Sequence, residues 1–548
     1  MNQVQRQIRL AKIYRDLKIL IIDDFENFRL ALKQMLRAFG AQDIHTASNG
    51  ENAIKKCETD RYDIILCDYN LGDKKNGQQI LEELRFKETI KYDTIFVIVS
   101  AETAKDMVMG ALEYLPDGYI TKPINKDVLQ KRLDLLLEQR AELADVIQAL
   151  DQKNWQRVVN LCTQAIQNHS RYTTWCLRTQ ASAHYMLEQY EQAQKIYEEV
   201  LTKRDIGWAR LGMGKVKLAQ KQFDEAIDSF RSLLDKNPDE VDAHDWLAST
   251  YEQMGRFREA QQTLEKAVAI SPFAILRQQK LADVCLKNNN VERATEAYRS
   301  AVKLSNNSVH DKPENYLQLG RCLSDLSEGD KTSEGKKRAK EAITTLDKAN
   351  HKFKEDASVR LKSMLIESRV HLGQENAKKS QDVLAKASEL MNQIEPEPED
   401  HLEMAKTLYA QGDTAKAEKV LFSLSENHGT DRGLMKKIED LLDEPVSLKK
   451  KLEARSLNKQ GINLFENGKI KEAMAVFDKA LEVTPKHPAL NLNLVQVMLK
   501  DIKTQATDKS AMIEKCQACL NNVKHIPEQH RQHKRFLHLS KKVASLVN

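Results

Sequence analysis

The sequence predicts an α/β domain with a doubly wound parallel sheet, followed by an all-α solenoid of helical repeats. Two observations lead to this prediction. Up to residue 137, short continuous apolar runs alternate with helical patterns, which is typical of a parallel sheet covered on both faces. Beyond it the strand signals end, and similar residues recur at a step of 34 positions, which indicates a repeat array.

The composition is that of a helix-rich protein without a strong electrostatic field. The 548 residues include 85 basic and 80 acidic side chains, so the formal net charge is only +5. No apolar stretch is long enough to cross a membrane, and the N-terminus lacks the apolar core of a secretory signal. We therefore expect a cytoplasmic protein, with neither DNA nor a membrane as its partner.

Eight scattered cysteines predict reduced thiols rather than a disulfide scaffold. Cys516 and Cys519 form a C-x-x-C pair within a helical pattern. A zinc site would need two further ligands, for which His525 and His530 are the candidates. Without a second closely spaced pair we do not expect zinc.

Polar residues stand where the predicted strands end. The five strands are Lys18–Asp24, Asp43–Ala47, Tyr62–Asp68, Thr94–Ser100 and Gly118–Lys122. In a doubly wound sheet the carboxyl ends of the strands share one edge, and ligands bind there. This edge is predicted to gather the following residues: Asp23, Asp24, Asp68, Ser100 and Lys122.

These residue types suit phosphoryl transfer to a carboxylate. Three converging carboxylates repel one another unless a cation lies among them, and hard oxygen ligands favour Mg²⁺. We expect Asp68 to be the nucleophile, with Asp23 and Asp24 holding the metal. Lys122 would neutralise the transferred group, and the Ser100 hydroxyl would donate a hydrogen bond to it.

The motifs that contain these residues stand in the order found in a known family. They are IIDD at Asp23 and Asp24, CDYN at Asp68, VSAET at Ser100 and YITKP at Lys122. In combination, residues 18–137 resemble the response-regulator receiver family of the chemotaxis-regulator (CheY-like) type. The resemblance implies a flavodoxin-like fold, and a sensor histidine kinase or phosphotransfer protein as phosphodonor.

The same resemblance implies roles for further residues. The backbone carbonyl of Asn70 would join the metal ligands, and Ser100 and Tyr119 would form the switch pair. Asn70 and Glu102 occupy the positions that tune the lifetime of the phosphoryl group, and their identities imply a short one. Leu71-Gly72 departs from the usual Met-Pro, and the loop to Gly77 looks lengthened.

The step of 34 residues is clearest between residues 207 and 306. It relates Ala226, Ala260 and Ala294, as well as Phe230, Leu264 and Tyr298. Small residues at fixed places let two helices approach closely, and the larger ones fill the groove between neighbours. The pattern resembles the tetratricopeptide repeat (TPR) family, which implies a protein or peptide ligand on a concave face.

Some family members grip a terminal carboxylate with Lys and Asn on the first helix of each repeat, but that pattern is missing here. The corresponding positions are Leu211, Lys215, Asp245, Ser249, Gln279 and Asp283. The sequence therefore predicts a protein-binding array without naming its ligand.

The predicted organisation has five parts. They are an N-terminal extension at 1–17, the receiver domain at 18–137, a TPR array at 138–394, an acidic Pro-containing break at 395–400, and further TPR-like repeats with capping helices at 401–548. The last receiver helix is expected to continue straight into the first repeat, since Leu133–Leu150 contains neither Gly nor Pro. The whole resembles bacterial receiver–TPR regulators, including those of the VieB type.

The leading hypothesis is a two-component response regulator in which phosphorylation of Asp68 modulates protein binding by the TPR array. A constitutive scaffold or homodimerisation rod with the receiver as a docking module is the first alternative. A transcriptional regulator would need a DNA-recognition element after the receiver, and we find none. We expect no enzyme activity beyond self-phosphorylation from a donor and autodephosphorylation.

Overall fold

A computed structural model of the chain describes residues 3–72, 74–101, 105–428, 430–443, 448–504, 509–524 and 532–547. The chain divides into two compact units, Met1–Asn315 and Tyr316–Asn548. The first unit contains the sheet and the regular repeats, and the second is helical throughout its described residues. No described helix has both the length and the apolar character that crossing a bilayer requires.

The sheet has five parallel strands in the order β2-β1-β3-β4-β5. They are β1 (Lys18–Ile22), β2 (Asp43–Ala47), β3 (Ile64–Asp68), β4 (Ile95–Ser100) and β5 (Gly118–Thr121). Alternate residues of one strand enter different cores: Ile19 and Ile21 pack on one face of the sheet, and Leu20 and Ile22 on the other. Both faces are covered, which is why the strands appear as continuous apolar runs.

Six helices accompany the sheet in the described residues. They are α1 (Gln3–Asp16), α2 (Glu26–Phe39), α3 (Gly50–Thr59), α4 (Gly77–Phe86), α5 (Lys105–Leu112) and α6 (Lys126–Glu142). The doubly wound, flavodoxin-like fold class predicted for this region is confirmed.

Helix α1 gives the N-terminal extension a structural role that the sequence did not indicate. Tyr14 is fully buried in the core shared by α2 and α6, and its hydroxyl donates a hydrogen bond to Asp134 at 2.9 Å. Burial, reinforced by Asp134, raises the pKa of Tyr14 well above its usual range. The extension is therefore part of the first domain's core.

The receiver does not continue into the repeats as one straight helix. Helix α6 ends at Glu142 and α7 (Ala144–Asp151) begins after Leu143, whose backbone leaves the helical region. Leu143 is buried in the core of the first repeats with Val146 and Val158. The burial of this side chain is a tertiary effect, so the helical pattern of 133–150 could not reveal the break.

The first unit continues with antiparallel helices in pairs. After α7 they are α8 (Trp155–Gln167), α9 (Thr173–Met186), α10 (Tyr190–Lys203), α11 (Gly207–Ala219), α12 (Phe223–Lys236), α13 (Val241–Gln253), α14 (Phe257–Ile270), α15 (Ile275–Lys287) and α16 (Val291–Leu304). A Cβ added at Gly214 would lie 2.4 Å from the Phe230 ring, so the predicted small-to-large contact holds α11 against α12.

The helices from residue 313 onward follow the same design. They are α17 (Pro313–Ser327), α18 (Ser333–Lys352), α19 (Ala357–Gly373), α20 (Ala377–Met391), α21 (Pro398–Ala410), α22 (Thr414–His428), α23 (Arg432–Asp443), α24 (Leu448–Glu466), α25 (Ile470–Val483), α26 (Pro488–Thr504), α27 (Lys509–Asn522) and α28 (His533–Val547). The Gly214–Phe230 contact recurs as Gly461–Phe477, where the added Cβ would lie 2.8 Å from the ring.

One feature of the second unit differs from expectation. The segment 395–400 is a helix cap rather than a break: Glu397 and Asp400 form a capping box and Pro398 opens α21. One apolar core runs across it, from Leu365 to Met404. Cys516 and Cys519 are both buried in an apolar core, as expected of packing thiols. The zinc-ligand candidates His525 and His530 lie outside the described residues.

Candidate functional site

The carboxyl ends of β1, β3, β4 and β5 bring the predicted polar residues to one edge of the sheet. Asp23 follows β1, Asp68 ends β3, Ser100 ends β4 and Lys122 follows β5. The strand order reverses between β1 and β3, which is where an open α/β sheet leaves a crevice for a ligand.

Lys122 is the central contact of this cluster. Its Nζ atom lies 2.8 Å from Asp23 Oδ2 and 2.7 Å from Asp68 Oδ2. Oxygen atoms of Asp23, Asp24 and Asp68 all lie within 4.8 Å of one another. Asp23 and Asp68 are 1% and 6% exposed, whereas Asp24 is open to solvent. The site is thus a buried carboxylate pair with a third, exposed carboxylate at its mouth.

Neighbouring groups fix the orientation of two of these side chains. Asp23 accepts the backbone N–H of Phe25 at 2.8 Å, and Arg29 donates to the Asp23 carbonyl at 2.7 Å. The Lys122 ammonium lies 4.1 Å from the centroid of the Phe28 ring, within the range of a cation–π interaction. The first turn of α2 therefore positions both an acid and the amine.

The charges of the site do not balance. Three carboxylates face one ammonium, which leaves an excess of two negative charges. Burial, together with nearby Asp23, raises the pKa of Asp68 although Lys122 opposes the shift. Burial by itself lowers the pKa of Lys122, but its two hydrogen bonds to carboxylates outweigh burial and raise it. Clustered oxygen donors with excess negative charge fit a hard divalent cation.

The remaining predicted residues lie around this centre. Ser100 is buried at 2% exposure, and Tyr119 of β5 is half-buried against the core that contains Phe96 and Ile98. Asn70 is exposed, and its N–H points to Asp68 Oδ1 at 3.4 Å. Glu102 lies outside the described residues.

An open cavity of about 760 Å³ lies over the Asp68 carboxylate. Besides the predicted residues, it is lined by side chains that the sequence reading did not select: Phe25, Phe28, Lys74, Asn76 and Met107. The polar sequence LGDKKNG indicates the loop that contains Lys74 and Asn76. An Asn three residues before a Gln also predicts the capped start of a helix. No local pattern marks Phe28 or Met107, because helical apolar residues ordinarily face the core.

The loop after Asp68 is tied closely to helix α4. The Gly77 N–H donates to the Tyr69 carbonyl at 2.8 Å, and a Cβ at Gly77 would lie 2.3 Å from the Asp68 carbonyl oxygen. Asn76 and Gln79 form a reciprocal capping box at the start of α4. The backbone at Asp68 and Tyr69 is therefore packed directly against the first turn of α4.

On the array, the predicted ligand-facing positions are largely linked to neighbouring side chains. Asp245 pairs with Arg277, Ser249 accepts from Lys280, Asp283 accepts from Tyr298, and Lys215 lies 4.8 Å from the centroid of the Trp246 ring. These contacts cross from one helix to another. Each of these four polar side chains therefore has a partner on a neighbouring helix of the array.

Comparison with known families agrees with this architecture. Residues 19–134 match the response regulator receiver domain, and residues 217–282 and 454–487 match tetratricopeptide repeats. The chain is thus a fusion of a CheY-like receiver domain with a TPR array. Its receiver domain is that of a two-component response regulator, and its repeats are of a protein-binding type.

Individual relatives cover parts of the chain. The chemotaxis protein CheY-3 of Vibrio cholerae is 29% identical over 128 residues, which are 23% of this chain and 97% of CheY-3. CheY of Pseudomonas aeruginosa is 29% identical over 122 residues, which are 22% of this chain and 97% of that protein. The C-terminal part of a TPR protein from Cytophaga hutchinsonii aligns with 45% of this chain and 98% of its own length, at 16% identity and a TM-score of 0.34.

Proposed function

We propose that Asp68 accepts a phosphoryl group and that this modification regulates protein binding by the TPR array. The observation that supports it best is the cluster of Asp23, Asp24 and Asp68 around Lys122 at the carboxyl edge of the sheet. In this proposal residues 18–137 receive the signal and the array from residue 138 onward carries the output.

Each residue of the cluster has a task in the transfer. A carboxylate oxygen of Asp68 attacks phosphorus, and the bond between phosphorus and the donor nitrogen of a phosphohistidine breaks, leaving an acyl phosphate and a histidine that takes up a proton. Lys122 stabilises the charge on the transferred oxygens, and Ser100 donates a hydrogen bond to one of them. The donor would be a sensor histidine kinase or a phosphotransfer protein.

Asp23, Asp24, Asp68 and the backbone carbonyl of Asn70 would hold Mg²⁺. Bound there, the ion would supply the positive charge that balances the carboxylates and the incoming phosphoryl oxygens. The excess of two negative charges at this edge supports such a cation.

Two further proposals rest on the family resemblance. Ser100 and Tyr119 would act as the switch pair, since both lie at the end of the sheet that holds Asp68. Asn70 and Glu102 would keep the phosphorylated state short-lived. The cytoplasmic location stays a prediction.

The test of phosphoryl acceptance compares the full-length protein with Asp68→Asn, incubated with a radiolabelled small-molecule phosphodonor and Mg²⁺. Asp145→Asn is the matched control, because Asp145 is an exposed carboxylate on α7. We expect uptake by the wild type and the control, and none by Asp68→Asn. Equal labelling of all three would refute the assignment.

Regulated binding needs its own experiment. The same proteins serve as bait, with and without phosphodonor, and recovered partners are quantified. A donor-dependent change in the wild type that is absent in Asp68→Asn supports the proposal. Identical recovery in every condition would favour the constitutive scaffold, and the appearance of only a second copy of the chain would favour a dimerisation rod.

A further inference from the structure

Helix α4 of the receiver packs against the array in the first unit, at a place far from the point where the two are joined in sequence. The receiver contributes α4 and the residues after α5. The array contributes the loop between α16 and α17, together with the start of α15. We call residues 305–311 and Arg277 the clamp.

A buried carboxylate lies at the centre of the contact with the loop. Glu82 of α4 is 4% exposed and accepts a hydrogen bond from the Ser308 hydroxyl at 2.6 Å. His310 Nε2 lies 3.3 Å from the other oxygen of Glu82. Tyr114 of the receiver also interacts with Glu82. Burial first, and then the charge of Glu82, raise the pKa of Tyr114 well above its usual range. A buried carboxylate with such partners is costly to separate from them.

Backbone carbonyls of the loop extend the contact toward the phosphoryl-acceptor loop. Lys75 donates to the Asn307 carbonyl at 2.6 Å, and Gln79 donates to the Asn306 carbonyl at 3.0 Å. Lys75 and Gln79 lie on either side of the α4 cap, which follows the acceptor loop directly. The clamp therefore contacts the segment that the Gly77 N–H joins to the Tyr69 carbonyl, next to Asp68.

A second ion pair anchors the other end of the interface. Arg277, 6% exposed, donates to Glu113 of the receiver at 2.7 Å and to Asp245 of the array at 2.8 Å. Gly110 of α5 lies against Phe273, which precedes α15. Because Arg277 is held by Asp245 as well, it remains paired when Glu113 leaves.

We propose that the clamp holds the receiver closed on the array while Asp68 is unphosphorylated, and that phosphorylation releases it. In the structure that has this contact, Lys122 bridges Asp23 and Asp68, and a phosphoryl group on Asp68 would compete for the same ammonium. Acyl phosphate formation changes the charge and size of the Asp68 side chain, and the hydrogen bond from Gly77 N–H to the Tyr69 carbonyl links the backbone beside Asp68 to the first turn of α4. This inference rests on the proposed function of Asp68.

Coupling of this kind is reciprocal: if phosphorylation loosens the clamp, loosening the clamp must favour the phosphorylated conformation. Such couplings change an equilibrium by about 5- to 150-fold. The array would therefore set the threshold for activating its own receiver.

The test is hydrogen–deuterium exchange on the full-length protein, read in peptides from α4 and from residues 305–311. With phosphodonor and Mg²⁺, exchange in both segments should accelerate by about 5- to 150-fold in the wild type and stay unchanged in Asp68→Asn. Without donor, Glu113→Lys and Ser308→Asp should each accelerate exchange in both segments, because each places like charges against each other. Glu292→Lys, an exposed charge reversal on α16, is the matched control and should change neither segment.

A second readout checks reciprocity. The phosphoryl analogue beryllofluoride should bind Glu113→Lys more tightly than the wild type, by the same factor that the exchange data give for loosening. Label uptake by Asp68 without any change in exchange would overturn the clamp while leaving the phosphoryl acceptor intact. A wild type that takes up no label would instead contradict the proposed function. Unchanged exchange in Glu113→Lys and Ser308→Asp would overturn the clamp whatever the labelling result.

Discussion

Two buried carboxylates in this chain lie beside cationic side chains, but their pKa values shift in opposite directions. Asp68 in the receiver shares one ammonium with two other acids, and burial raises its pKa. Glu403 on α21 is surrounded by Arg321, Arg369 and Lys406. Burial alone would raise the pKa of Glu403, but the three cations outweigh burial and hold it well below its usual range. Each cluster combines buried carboxylate with cationic side chains.

The difference lies in the balance of charge and in access. The Glu403 cluster joins α17, α19 and α21, and its acid is 2% exposed with its charge more than compensated. The Asp68 cluster opens into a cavity and has an excess of negative charge. The first arrangement joins three helices, whereas the second has room for a cation and an incoming group. The two clusters therefore differ in charge balance and in access to solvent.

The largest expected effect is on the stability of the second unit. Glu403→Ala removes the acid that Arg321, Arg369 and Lys406 share, although Asp325 stays near two of them, and breaking a buried pair in this way costs about 3–5 kcal/mol. Denaturant unfolding of the full-length protein, followed by hydrogen exchange in α19 and α21, measures the loss. Asp145→Asn serves as the surface control, and a loss no larger than that of the control would contradict the structural role of the cluster.

The next effect separates the two clusters by activity. Lys122→Gln removes the cation that faces the transferred phosphoryl group, and we expect the rate of labelling to fall by roughly 10²- to 10³-fold, as on loss of one charge-stabilising donor. Arg369→Gln removes a cation from the other cluster and should leave the rate unchanged. The measurement is the initial rate of label uptake at saturating Mg²⁺. Equal rates in the two variants would show that the two clusters do not differ in their contribution to phosphoryl transfer.

Metal ions should affect only one of the clusters. Mg²⁺ at about 100 times its dissociation constant would stabilise the first unit by about 2.7 kcal/mol, and a chelator would reverse the gain. Asp23→Asn should abolish the effect, because it removes a ligand and one of the excess negative charges. Hydrogen exchange in β1 and β3, compared with α21, provides the readout. Protection of α21 by Mg²⁺ would contradict the assignment of the ion to the receiver.

The smallest effect is a dependence on pH. A glutamate with a lowered pKa stabilises the fold at pH values above its unfolded pKa of about 4.3, and loses that contribution as the pH falls through its folded value. The difference in unfolding free energy between wild type and Glu403→Gln should therefore have its largest value near neutral pH. Below about pH 4.3 it should decrease by about 1.4 kcal/mol for each pH unit. A difference that does not change with pH would show that Glu403 is not held by charge.

Local pattern was sufficient to predict the sheet, the repeats and the composition of the receiver site. Strands buried on both faces produce continuous apolar runs, and the topology of a parallel sheet sends their ends to one edge. The five strand-end residues could therefore be selected without coordinates. The step of 34 residues predicted the repeats because each repeat packs in the same way, with small and large residues in fixed places.

Contacts between residues distant in the chain could not be predicted in this way. Glu82 and Ser308 are separated by 226 positions, and Arg321 and Glu403 by 82, so neither pair leaves a periodic signal. The burial of Tyr14 and the bend at Leu143 likewise depend on what packs against them, whereas the capped start of α21 is a local signal that the sequence analysis missed. The cavity residues Phe28 and Met107 belong to this group too, since each has the pattern of an ordinary helical side chain.

The sequence by itself determined which chemistry the receiver can perform and how the repeats are built, because both depend on the type and spacing of residues along the chain. Only the tertiary structure decided which array residues face the receiver and which buried charges are balanced. Those outcomes depend on distances across the fold, and the free energy of a buried charge is set by its spatial neighbours rather than by its neighbours in sequence.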